Sequence, residues 1–103
     1  MTTVINNKNI AIYMDVEHWI DYGDIQVYKF EDGRSYSLHD LKYHSSWDWL
    51  IPVIDKIKSD DMYPKYVDYS GSMVGEGGVY INTKFINVTY DNVMDFINWY
   101  NEQ

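Results

Sequence analysis

The chain has 103 residues, enough for one domain (1–103) with a single modest core and too few for two. Hydrophobic residues make up 46% and aromatics 17%, which excludes a disordered segment, since that much apolar surface offsets the entropy of ordering. Sixteen acidic residues face eight basic ones, and the net charge of -8 repels phosphate backbones, arguing against free nucleic acid as a partner.

Acids exceed bases in both parts of the chain, seven to four through residue 42 and nine to four after it, so the acidity belongs to the whole domain. Such a field favours a partner with a basic surface, including the nucleic-acid channel of a nuclease. Solubility alone is the plainer explanation. Eleven tyrosines are many for one core, and some are expected at the surface, where a rigid ring with a polar tip suits partner contact. There is no cysteine, which excludes disulfides, zinc–thiolate sites and thiol catalysis. The opening residues lack a signal pattern, and no apolar run nears the roughly 18 residues of a membrane span. A soluble protein that stays where it is made is the expectation.

Residues 3 to 14 fit either of two periods. Ile10, Tyr13 and Met14 match a helix, while Ile10, Ile12, Met14 and Val16 alternate as in a strand; helix is preferred. Ile25–Phe30 and Arg34–Leu38 flank Asp32-Gly33, the clearest hairpin signal in the chain. Ser46 is a candidate N-cap for a central helix whose stripe is Trp47, Leu50, Ile51, Ile54 and Ile57 or Lys58. Pro52 falls inside it, so the helix either begins near Leu50 or kinks. Lys65–Ser70 and Val79–Val88 read as strands. A last helix follows Thr89, with Val93, Phe96, Ile97 and Tyr100 on one face. This order predicts an α+β fold of about three helices on a mostly antiparallel sheet of about four strands. Its core is expected to include Trp47, Leu50, Ile54, Phe96 and Ile97.

Candidate chemistry is sparse. His44 adjoins Ser45 and Ser46, but sequence neighbours rarely form a nucleophile–base pair, and a helix-entry role suits the serines better. Asp15, Glu17, His18, Asp21 and Asp24 fall within ten residues and offer ligands for a divalent metal, though the spacing matches no EF-hand loop. A small metal-dependent hydrolase using Asp15, Glu17, His18 and Asp21 is the enzymatic alternative; a solvated acidic connection is the simpler reading. Gly71–Gly78 is glycine-rich but lacks the lysine of a phosphate loop, and fits a hairpin loop. In Asp60–Tyr69, carboxylates alternate with tyrosines in a way that suits an arginine-rich surface. No cofactor and no enzymatic activity are expected.

Two segments, Tyr43–Ile57 and Val93–Asn101, resemble a group of small proteins carried by phages, prophages and genomes of Bacteroidota. Ile10–Met14 is more weakly similar, and the likeness covers about half the chain. Its motifs are tryptophans and aliphatics on helix faces, so it transfers no site residues. What it implies is a setting: a bacterial cytoplasm, and inhibition of a host defence nuclease. A CRISPR effector is the foremost candidate target, with the RNA-guided RNases of type VI-B as one natural choice, which would make the chain an anti-CRISPR. The expected contacts are Asp60, Asp61, Tyr63, Tyr66, Asp68 and Tyr69, with Glu17 and Asp21 as a second patch. The alternative is a structural or regulatory phage accessory protein, monomeric or a small homo-oligomer.

Overall fold

The computed structural model describes residues 2–20, 23–71, 79 and 81–103. Helix α1 (Thr2–Tyr13) leads into strands β1 (Glu17–Ile20), β2 (Gln26–Lys29) and β3 (Ser35–Ser37). A short 3-10 turn (Leu38–Asp40) precedes α2 (Trp47–Ser59), α3 (Tyr63–Gly71) and α4 (Ile86–Asn101). The three strands form one antiparallel sheet in the order β1-β2-β3. The class is α+β as expected, with four helices and three strands among the described residues.

Helix α1 buries Asn7, Ile10, Ala11 and Tyr13, the helical alternative of its ambiguous sequence. Its end is well defined: Asp15 N–H bonds to the Ile12 carbonyl (3.1 Å) and Val16 N–H to that of Ala11 (3.1 Å). This is a Schellman closure, and it places Asp15 in the left-handed region at φ 57°, where glycine is usual. Lys56 on α2 compensates, bonding to the Tyr13 carbonyl and lying 3.3 Å from the Asp15 carboxylate.

The β2–β3 hairpin turns where Asp32-Gly33 predicts. Phe30 N–H meets the Arg34 carbonyl (2.9 Å), Gly33 N–H meets the Phe30 carbonyl (2.9 Å), and Gly33 has φ 87°. That is a three-residue loop closed by a glycine in positive φ. The register places His18, Tyr28 and Tyr36 in one cross-strand row, with Tyr28 fully buried. β1 was unexpected, because it lies in the segment read as an acidic connection. All four of its residues are exposed, so it has no alternation to betray it.

Helix α2 runs unbroken from Trp47 through Pro52. Its buried face is Leu50, Val53, Ile54 and Ile57; Ile51 is exposed on the flank, and Trp47 is only half-buried against the core. Ser46 precedes the helix without a side-chain cap bond.

Both strands expected after α2 are corrected. Lys65–Ser70 lies in α3, and within Val79–Val88 the described residues 81–85 are irregular before α4 begins at Ile86. Asp60 and Pro64 explain the first. The Asp60 carbonyl accepts from Tyr63 N–H (3.0 Å), and its carboxylate accepts from Met62 N–H (2.9 Å). Pro64 then falls in the first turn, where its missing N–H costs nothing. Asn82 explains the second, its side-chain oxygen accepting from Lys84 and Phe85 N–H (3.0 Å each). Thr89, fully buried, accepts from Asn82 N–H at 2.6 Å and returns a bond to its carbonyl. The loop expected at 71–78 lies almost wholly outside the described residues.

α1 and α2 pack on α4, and α3 packs on α2. Phe96, Ile97, Leu50 and Ile54 sit in the shared core as expected.

Candidate functional site

The contacts expected on Asp60–Tyr69 separate into two groups once α3 is a helix. Asp60 belongs to the scaffold. Its half-buried carboxylate accepts from Tyr13 hydroxyl (2.8 Å) and from Met62 N–H, tying α1 to the α2–α3 turn. Burial, reinforced by this hydrogen bond to Asp60, pushes the Tyr13 phenol far above its usual range. Tyr66 is also interior, 5.1 Å edge-on to Phe96 and 5.3 Å from Trp99, and its phenol is raised by burial and then by Asp95. Tyr63 is half-buried; its hydroxyl accepts from Val79 N–H (3.2 Å).

The outward group is Asp61, Asp68 and Tyr69. Tyr69 is 69% exposed and lies 6.0 Å from the Trp99 ring on α4, beside Asp95 and Glu102 in a shallow groove of about 380 Å³. The Asp95 carboxyl is raised by partial burial and by Asp91 one turn away. A flat aromatic pair edged by carboxylates can receive a cation or an amphipathic side chain.

The second expected patch also divides. Asp21 lies outside the described residues. Glu17 is exposed on β1 and edges a larger cleft of about 910 Å³ between the β2–β3 hairpin and the first half of α2. Trp49 is the centre of that cleft's aromatic wall, with Phe30 at 4.9 Å, Tyr36 at 5.0 Å and Tyr43 at 5.2 Å, all edge-to-face. Burial, and then the neighbouring Tyr28, raises the Tyr43 phenol strongly. Sequence reasoning missed this wall. Its signal lay in Tyr28, Phe30 and Tyr36 alternating across the hairpin, and in Trp49 standing off the α2 stripe.

The proposed metal ligands do not converge. Glu17 and His18 are consecutive in a strand, so they point to opposite faces. His18 stacks on Tyr28 (5.5 Å, 27°), and Asp15 pairs with Lys56. Among the described residues no three His, Asp or Glu side chains cluster to hold a metal ion. His44 shares a 2.9 Å hydrogen bond with the buried Asn7 amide, which ties it to the fold. Among the described residues no helix is long and apolar enough to cross a membrane. No family model matches this chain, and no solved structure matches it.

Proposed function

We propose that this protein is a non-enzymatic inhibitor that binds a bacterial defence nuclease, foremost a CRISPR effector, by covering a basic surface or holding an unproductive state. One observation supports the reading above others: carboxylates outnumber cations around both aromatic grooves. Asp95 and Glu102 flank Tyr69 and Trp99, and among the described residues no Lys or Arg lines that groove. Such surfaces attract basic partners at long range and offer rigid ring area on contact. The nuclease setting comes from the resemblance of Tyr43–Ile57 and Val93–Asn101 to phage and prophage proteins.

The test leaves Asp60 alone, since its carboxylate holds the α2–α3 turn. The variant Asp61→Lys, Asp68→Lys, Tyr69→Ala changes exposed positions and is expected to keep the melting temperature within a few degrees. It should weaken inhibition at least about tenfold and flatten its salt dependence, as loss of steering and one anchor requires. If a panel of host CRISPR and restriction nucleases keeps full activity with the wild-type protein in excess, this reading is wrong.

A second reading, a self-associating phage accessory protein, draws on β1. This edge strand exposes Trp19 (41%) and Ile20 (69%), with Ile25 (53%) close behind, and an open apolar edge is a template for pairing. It predicts a scattering mass that rises with concentration and falls back to monomer in Ile20→Lys. A constant monomer mass in the wild type sinks it.

A further inference from the structure

We propose that the cleft between the β2–β3 hairpin and α2 receives an arginine side chain of the partner protein, a specific contact that rests on reading the chain as a ligand for a basic surface. The occupant follows from the walls. Phe30, Tyr36 and Trp49 are half-buried, so they present ring surface to the cleft while their packing holds them rigid. Rings of this kind attract a cation through their negative faces, most strongly where water is partly excluded.

The rim decides the sign. Five carboxylates line the cleft (Asp15, Glu17, Glu31, Asp32, Asp48) against Lys29 and Arg34, and with Lys56 on Asp15 counted as well carboxylates still exceed cations by two. Asp15 is neutralised by Lys56 at 3.3 Å, and Asp32 by Arg34 at 3.8 Å. Glu17, Glu31 and Asp48 have no ion-pair partner among the described residues.

Pro52 adds a further acceptor. It has no N–H to give the Asp48 carbonyl, so that carbonyl lacks its usual helix donor, and Asp48 and Pro52 both line the cleft with Trp49. Anions are repelled by this rim, and among the described residues a divalent metal lacks a convergent ligand set. Between the basic side chains, a planar guanidinium can lie flat on a ring while its edge forks to carboxylate and carbonyl. An ammonium cannot do both.

The experiment titrates the intact protein with capped glycine–arginine–glycine, glycine–lysine–glycine and glycine–citrulline–glycine peptides, read by assigned amide and indole NMR signals. Saturable shifts are expected at the Trp49 indole and at the Phe30 and Tyr36 amides. The uncharged citrulline peptide should bind at least about tenfold more weakly, with lysine between. The variant Glu31→Gln, Asp48→Asn should weaken arginine binding about fivefold or more without changing the spectrum elsewhere. Equal shifts with citrulline, or no saturable shift at the cleft, overturn the proposal. Shifts confined to Tyr69 and Trp99 overturn the cleft but keep an acidic, cation-binding protein. Arginine capture here by a protein that spares every nuclease keeps the cleft and rejects the inhibitor.

Discussion

Replacing Phe96 with alanine is expected to destabilise the fold by about 3–5 kcal/mol. Phe96 is fully buried and touches rings from two other helices, Tyr13 (5.8 Å) on α1 and Tyr63 (6.2 Å) and Tyr66 (5.1 Å) on α3, as well as Trp99 (6.0 Å) and Tyr100 (5.9 Å) on its own α4. Alanine removes the transfer energy of the ring and leaves a cavity that stiff aromatic neighbours cannot collapse to fill. A domain of this size has only about 5–15 kcal/mol in total, so the loss is a large share of its stability. Urea denaturation followed by far-UV circular dichroism reads the result as a lower midpoint with an unchanged slope. Phe96→Leu keeps most of the volume and should lose less than about 2 kcal/mol. Equal midpoints for wild type and Phe96→Ala remove Phe96 from the core.

The elements most legible in the sequence were those whose local signals agreed with one another. The central helix had its stripe and the hairpin its Asp32-Gly33. The C-terminal helix had Val93, Phe96, Ile97 and Tyr100 at helical steps; the first three are buried, while Tyr100 stands exposed at its edge. Failure came where a local preference pointed one way and packing another. Tyr66 and Asp68 alternate as in a strand, yet Tyr63, Tyr66 and Tyr69 also recur every third residue, which is the helical signal. Phe96 and Trp99 settle the contest by giving Tyr66 and Tyr69 rings to pack on. Ile81, Phe85, Ile86 and Val88 have strand-forming side chains, but the Asn82 turn and the buried Thr89 fix the start of α4 instead.

The candidate site was legible only in its residue types: surface tyrosines and carboxylates were expected, and Tyr69 and Asp61 stand at the surface. No sequence argument separates them from Tyr66, which is buried, or from Asp60, which bonds to Tyr13 from 47 residues away. The cleft is less legible still, since its wall joins Phe30 and Tyr36 of the hairpin to Trp49 of α2 across the chain. Contacts of that separation are set by topology, and no periodicity encodes them.

Asn7→Leu is the second large expected effect, about 2–4 kcal/mol, although it adds apolar volume to a buried position. Asn7 is 2% exposed, and its amide closes a network between α1, the approach to α2, and α4. It donates to the Leu41 carbonyl (3.1 Å), shares a bond with His44 Nδ1 (2.9 Å), and accepts from the Tyr90 hydroxyl (2.9 Å). Leucine leaves the Leu41 carbonyl and the Tyr90 hydroxyl buried without that partner; Tyr90 keeps only the long 3.5 Å approach to the Thr3 carbonyl. Burial, aided by Asp91, also pushes the Tyr90 phenol up to about 12. The unfolded phenol ionises near pH 10, so its contribution is intact below that and disappears as pH rises toward 12. Adding Tyr90→Phe to Asn7→Leu removes both ends of one bond, which costs far less than orphaning one of them. The double variant should therefore lose less than the sum of the two single losses, by about 1 kcal/mol or more. Strict additivity in urea midpoints would show that the two side chains do not bond in solution.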